Sequence, residues 1–111
     1  MDQQAFVEEL KRDLELEYRS IVQYVQHIAS VKGARYQQTL KELDSHVGQE
    51  LSHAMKLAQQ IDFLGAVPST TVPEVAPQTD AVAALEDDLA LETGQLERYR
   101  ARVDQAQALG R

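Results

Sequence analysis

Apolar residues recur at steps of three and four along three stretches of the chain, which is the spacing of one face of an α-helix. The first series is Phe6, Leu10, Leu14, Glu17, Ile21, Tyr24, Ile28 and Val31. The second is Tyr36, Leu40, Leu43, Val47, Glu50, Ala54, Leu57, Ile61 and Leu64. The third is Val82, Leu85, Leu89, Glu92, Leu96, Tyr99, Val103 and Ala106. The pattern predicts three long amphipathic helices that bury these stripes in a shared core.

Capping and breaking residues set the limits of the three helices. Asp2 is a candidate N-cap of the first helix, and Thr79 or Asp80 of the third, whereas Gly33 and Gly65 stop the periodic pattern. We therefore expect a single domain over residues 1–111, with helices at about residues 3–32, 36–64 and 80–109.

The lengths of the two connections predict how the helices are arranged. The first connection is so short that it predicts an antiparallel hairpin. The second, residues 65–79, contains three prolines. It can reach roughly 50 Å, more than the roughly 43 Å of a helix of about 29 residues. Such a linker predicts a long crossover that leaves the third helix parallel to the second.

One glutamate interrupts each apolar stripe near its middle. Glu17, Glu50 and Glu92 stand where helical periodicity would place Leu or Ile. If the first turn is centred near residue 34, Glu17 lies 34 − 17 = 17 residues before it and Glu50 lies 50 − 34 = 16 residues after it, so both are at the same height. Buried carboxylates are costly unless they are paired or bound to metal. The three glutamates therefore predict a shared metal site.

Histidines near Glu50 are further candidate ligands. Glu50 and His53 form a Glu-x-x-His pair, which puts a carboxylate and an imidazole one turn apart on one face. That spacing is common on solvated faces of helices. The presence of Glu17 and Glu92 in the other two stripes makes a metal-binding role more credible here. His46 lies on the same face and is a possible ligand, although we favour a hydrogen-bonded or exposed histidine. His27, nearly three turns from Glu17, is expected to be structural.

Composition supports a helical protein and excludes several functions. The chain is 43% hydrophobic and 26% charged, with five glycines and three prolines, which predicts an all-α domain. A net charge of −7 argues against nucleic-acid binding. Cysteine is absent, which excludes disulfides and iron–sulfur clusters. No run of apolar residues is long enough for a membrane span or leader, so we expect a cytoplasmic protein.

Three segments of the sequence resemble the bacterioferritins and the wider ferritin-like di-iron superfamily. They are Leu-Glu-Leu-Glu-Tyr-Arg-Ser-Ile-Val-Gln-Tyr-Val-Gln-His (14–27), Glu-Leu-Ser-His-Ala-Met-Lys-Leu-Ala-Gln-Gln-Ile-Asp-Phe-Leu-Gly-Ala-Val-Pro (50–68) and Asp-Leu-Ala-Leu-Glu (88–92). The resemblance covers nearly the whole chain and implies a ferritin-like antiparallel bundle with a long crossover. It matches three of the family's four helices, so the fourth helix is missing from this chain.

The resemblance implies a di-iron carboxylate centre, with manganese as the other candidate metal. By this resemblance Glu17 is a terminal or bridging ligand, Glu50 a bridging ligand, His53 a terminal ligand and Glu92 a ligand from the third helix. Tyr24 resembles a tyrosine beside the metals that donates a hydrogen bond or an electron, although we favour a core tyrosine.

Two departures from the family pattern affect the cofactor prediction. Haem is not expected, because Leu51 stands where bacterioferritins have the methionine that binds it, and Met55 lies one turn away. The family's fourth helix supplies a second carboxylate-and-histidine pair, so this chain offers half a di-iron site plus Glu92. We expect a homodimer or larger homo-oligomer to cover the open groove and complete the site.

Two functions follow as hypotheses. The first is iron binding with ferroxidase activity, in which Fe(II) is oxidised by O2 or peroxide for storage or detoxification. The second is a helical assembly module without redox activity, whose glutamates pair with histidine or with arginine. The available arginines are Arg19, Arg98, Arg100 and Arg102.

Overall fold

The computed structural model describes residues 1–110, and all of its regular structure is helical. Three long helices follow one another as α1 (Gln3–Ser30), α2 (Gln37–Phe63) and α3 (Ala81–Ala108). A single 3-10 turn, Ala34–Tyr36, precedes α2. The all-α fold predicted from the sequence is confirmed.

Side-chain caps and one glycine explain where the helices begin and where the first turn forms. The carboxylate of Asp2 accepts a hydrogen bond from the backbone N–H of Ala5 at 2.8 Å. Asp80, rather than Thr79, caps α3, since it accepts a bond from the N–H of Ala83 at 2.9 Å. Gly33 has a φ of 119°, which side chains other than hydrogen rarely allow, so this position permits the turn into α2.

Both α2 and α3 run antiparallel to α1 and parallel to each other. Nδ1 of His46 in α2 lies 2.6 Å from Glu92 in α3, and His53 lies 3.0 Å from Tyr99. The offset is the same in both pairs, 92 − 46 = 46 and 99 − 53 = 46, as parallel helices require. The chain order and the crossover are those predicted.

The crossover between α2 and α3 lies along α1 and is bonded to it near both ends. The hydroxyl of Tyr18 donates to the carbonyl of Ser69 at 3.0 Å. Gln26 donates to the carbonyl of Gln78 at 3.0 Å and accepts from the N–H of Gln78 at 2.9 Å. These bonds fix the height at which α3 begins relative to α1.

Helices α1 and α2 supply most of the apolar core. Their stripes are buried or half-buried along their whole length, as predicted. The tightest cluster consists of Phe6, Val7, Leu10, Leu14, Ala54 and Ile61. The core therefore joins α1 to α2 and holds their central residues in a fixed register.

The prediction that the third stripe faces this core is correct only in part, because alternate residues of the stripe, Leu85, Glu92, Tyr99 and Ala106, are half-buried and Ala106 packs against the core cluster. Val82, Leu89, Leu96 and Val103 are each more than half exposed. The buried face of α3 carries Ala84 and, nearby, polar side chains that bond to α1. Helical spacing identifies an apolar face of a helix, but it does not identify the element against which that face packs. The exposed residues of α3 border the open groove between α2 and α3.

Polar contacts hold α3 against α1 at two heights. Near one end of the bundle, Arg102 donates to the buried carboxylate of Asp13 at 2.7 Å. Near the other, Asp88 accepts a hydrogen bond from Gln23 at 2.9 Å and lies 2.9 Å from Nδ1 of His27. His27 thus joins α1 to α3 well away from Glu17. None of the helices described between residues 1 and 110 is long and apolar enough to cross a membrane.

Candidate metal centre

Glu17 of α1 meets Glu50 and His53 of α2 at the middle of the hairpin. One potential ligand atom from each residue lies within 4.8 Å of the others. Glu17 is 1% exposed and Glu50 is 3% exposed. Nδ1 of His53 lies 3.8 Å from a carboxylate oxygen of Glu50. Two buried carboxylates and an imidazole therefore surround one small volume.

Helix α3 contributes two neutral side chains to this cluster. The amide nitrogen of Gln95 donates to Glu17 at 2.7 Å and to Glu50 at 2.5 Å. The hydroxyl of Tyr99 donates to Glu17 at 2.6 Å and lies 3.0 Å from Nδ1 of His53. Neither residue was predicted to belong to the site. Their positions three and seven residues after Glu92 place them on its side of α3, which is a signal that the sequence carries.

The fourth predicted ligand, Glu92, is bonded elsewhere. Its carboxylate lies 2.6 Å from Nδ1 of His46, and both side chains are partly exposed. Tyr24 is buried and packs edge-on against the His46 ring, with the ring centres 6.4 Å apart. The structure therefore brings three predicted ligands together and places Glu92, His46 and Tyr24 in an adjoining group.

Burial and the neighbouring carboxylates shift the pKa values in the site. Burial, with the carboxylate and the charge of Glu17 close beside it, raises the pKa of Glu50 to about 8. Burial raises the pKa of Tyr99 as well, and its hydrogen bond to Glu17 adds to that shift. The pKa of Tyr24 is raised by burial and by the charge of Glu92. Both phenols therefore stay protonated at neutral pH.

The carboxylate of Glu17 is only partly satisfied by protein groups. Its Oε1 accepts two hydrogen bonds, whereas Oε2 is buried without a hydrogen-bond partner. A buried, unpaired acceptor costs about 1–3 kcal/mol. A cation between Glu17 and Glu50 would satisfy this oxygen and would favour the charged form of both carboxyl groups. The donor set fits a divalent transition metal.

We expect the metal-free protein to lose stability as the pH rises from about 4.5 to about 8. The folded state holds a proton on Glu50 up to its raised pKa of about 8, whereas the unfolded chain releases it near the ordinary value of 4.5. The unfolded state thus binds fewer protons in this interval, and the free energy of unfolding falls. Thermal unfolding at pH 5, 6.5 and 8 measures this change. A wild-type profile that matches that of a Glu50→Gln variant would contradict it.

A family model named the ferritin-like domain matches residues 7–111. The chain belongs to the ferritin-like family. One solved ferritin-like structure, described as "ferritin like, diiron-carboxylate proteins from Bacillus anthracis str. Ames", is 31% identical and has a TM-score of 0.89. The alignment covers 97% of this chain and 79% of that one. No curated protein matches the chain. Membership of the family is established, and a special closeness to bacterioferritins stays a prediction.

Proposed function

We propose that this ferritin-like protein binds iron between α1 and α2 and oxidises Fe(II) for iron storage or detoxification. The observation that carries the proposal is the convergence of Glu17, Glu50 and His53 around one volume, with a buried oxygen of Glu17 left without a partner. The similar Bacillus anthracis structure, described as a di-iron carboxylate protein, supports the choice of metal.

The chemistry of the donors favours iron, with manganese as the other candidate. Carboxylate oxygens with imidazole suit metals that change between two oxidation states, and thiolate ligands are absent from the sequence. In the proposed site Glu17 and Glu50 bind through carboxylate oxygens and His53 through a ring nitrogen. When bound, an iron pair supplies electrons to O2 or peroxide.

Glu92 is the proposed ligand from α3. Its negative charge already raises the pKa of Glu50, so its carboxylate lies close enough to act on the site. It is also the partner of His46, and binding metal would require it to exchange that hydrogen bond for the cation. When no metal is bound, His46 is the hydrogen-bond partner of the Glu92 carboxylate.

The surroundings of the site determine the protonation of its groups and the access of water. Glu50 must release its proton to become a ligand, so metal binding should release protons at neutral pH. Tyr24 is buried beside His46 and stays neutral, which suits a hydrogen-bond donor and a packing residue. Burial of Glu17 and Glu50 limits access of water from the side of α1.

The alternative of an assembly module without redox activity is less well supported. It requires basic partners for the central glutamates, and within residues 1–110 only Glu92 of the three has a close one, His46 at 2.6 Å. Arg98 and Arg102 instead lie against Asp13, at 3.7 Å and 2.7 Å. Glu17 and Glu50 receive neutral donors from Gln95 and Tyr99, which leaves the carboxylates available to a cation.

Anaerobic loading with Fe(II), followed by measurement of bound metal, tests the proposed function. We expect the wild-type protein to retain iron and to speed its oxidation when O2 or peroxide is added. An Asp44→Asn variant, which removes an exposed carboxylate of α2, is the control and should behave like wild type. Protein that retains no iron would end the proposal.

We further propose that the protein self-associates through the face between α2 and α3. Leu89 and Leu96 are more than half exposed on this face, and the His53 side chain, 37% exposed, reaches the same side of the site. A two-fold contact here would place a second His53 and a second Glu50 near the first pair. Iron should then tighten the dimer by mass action, which sedimentation with and without Fe(II) would detect. A metal-loaded monomer would exclude this arrangement.

A further inference from the structure

The amide of Gln95 occupies the space between the two central carboxylates. Its nitrogen lies 2.7 Å from Oε1 of Glu17 and 2.5 Å from Oε2 of Glu50. Tyr99, one turn further along α3, bonds the same Glu17 oxygen and contacts Nδ1 of His53. Each of the three candidate ligands therefore already has a partner from α3 at an atom that faces the shared volume.

A metal ion and this amide cannot hold the same place. A divalent transition metal lies about 2.0–2.2 Å from its carboxylate oxygens. The amide nitrogen is at 2.5–2.7 Å from both oxygens, so it stands where a cation shared by Glu17 and Glu50 would stand. Its N–H groups point to the oxygens, so it competes with metal as a donor and does not act as a ligand.

We propose, building on the proposed iron site, that Gln95 and Tyr99 form a latch on α3 that closes the metal-free site and is displaced by the incoming metal. The latch holds Glu17, Glu50 and His53 close together before metal arrives. Its hydrogen bonds must break when metal binds, so they lower the apparent affinity. A ligand shifts such an equilibrium only by its difference in affinity for the two states. Gln95 is therefore a positioning residue that sets how tightly iron is held.

The anchoring of α3 is compatible with this exchange. The helix is bonded to α1 through Arg102 and Asp13 on one side of the latch and through Asp88 and His27 on the other. Gln95 lies between these anchors, so its side chain can turn away from the carboxylates while both anchors stay bonded. Tyr99 lines a cavity together with His53 and Leu57, so the Tyr99 side chain borders space that it can enter when it leaves Glu17.

Replacing Gln95 by leucine removes the competing donor. We expect Gln95→Leu to bind Fe(II) about tenfold more tightly than wild type in an anaerobic titration, the equivalent of one lost charge-assisted hydrogen bond. Gln107→Leu makes the same change at an exposed position of α3 and should match wild type. Equal or weaker binding by Gln95→Leu, with wild-type binding intact, would overturn the latch and leave the iron site standing. If wild type and variant both bind nothing, both proposals fail.

Tyr99→Phe provides a second test that does not depend on the folding of the leucine variant. Phenylalanine keeps the edge-on packing against His53, where the ring centres are 5.6 Å apart, and removes the hydroxyl. We expect Fe(II) to change the near-ultraviolet tyrosine absorption of wild type clearly more than that of Tyr99→Phe, because the hydroxyl of Tyr99 leaves Glu17, whereas Tyr24 beside His46 is present in both proteins. If Tyr99 had only a structural role, Fe(II) would change the absorption of wild type and of Tyr99→Phe equally, and that result would reject the latch.

Discussion

Replacing Glu50 by glutamine should weaken Fe(II) binding by more than about 100-fold, beyond the 10–100-fold typical of residues that only orient ligands. Glutamine has nearly the shape of glutamate, but it has no proton to release and cannot offer a charged carboxylate to the metal. At pH 7 it should raise the stability of the metal-free protein, because the folded wild type must keep on Glu50, up to its raised pKa of about 8, a proton that the unfolded chain has already released. Anaerobic titration with Fe(II) and thermal unfolding of the same samples measure both quantities.

The combination of these two effects identifies a metal ligand. A residue needed for the fold would lose binding and stability together, whereas a ligand loses binding alone. Asp44→Asn, which also removes one acidic charge from α2, should retain wild-type affinity. Unchanged iron binding by Glu50→Gln would remove Glu50 from the site and would leave Glu17 and His53 without a shared partner.

Replacing Arg102 by methionine should lower the free energy of unfolding by about 3–5 kcal/mol, the usual effect of removing one member of a buried ion pair. Asp13 is 1% exposed in its side chain, and the Arg102 side chain is 14% exposed. Burial raises the pKa of Asp13 even with Arg102 beside it, so the carboxylate depends on this partner. Arg98, at 3.7 Å, is too distant to replace the lost hydrogen bonds. Urea unfolding measures the change.

A double variant separates the loss of the pair from the loss of packing. Asp13→Leu combined with Arg102→Met removes both charges, and most of the lost stability should return. The pair lies one turn or more from Glu17, so the folded single variant should still bind Fe(II). If Arg102→Met and the double variant are equally unstable, the ion pair is not what holds this part of α3.

Much of the hairpin could be predicted from the sequence because its signals are local. The stripes of α1 and α2 each have one neighbour to bury against, and the short turn fixes their register. Counting from that turn was enough to place Glu17 level with Glu50. His53 then follows from the helical repeat. The structure brings these three residues together.

The position of α3 could not be predicted in the same way. A long crossover allows the third helix any rotation about its own axis, and the apolar stripe predicted that rotation only in part, since Tyr99 and Ala106 face inward and Leu89 and Leu96 do not. What turns α3 is a set of long-range polar contacts, among them Arg102 with Asp13 and Asp88 with His27. Gln95 and Tyr99 enter the site as a result of that rotation. Helical spacing alone left Glu92 as the expected ligand, whereas its carboxylate is bonded to His46.

Helix α3 is held largely by polar contacts, so it should open more easily than the hairpin of α1 and α2. The proposed ligands Glu17, Glu50 and His53 belong to a hairpin with an apolar core, whereas α3 buries few side chains, including Ala84 and Asp88. Segments with little buried apolar surface open at a smaller free-energy cost than the rest of a fold. Backbone amides of α3 should therefore exchange their hydrogens with solvent sooner than those at the centres of α1 and α2. Each such opening would expose the carboxylates while the hairpin that carries them stays folded.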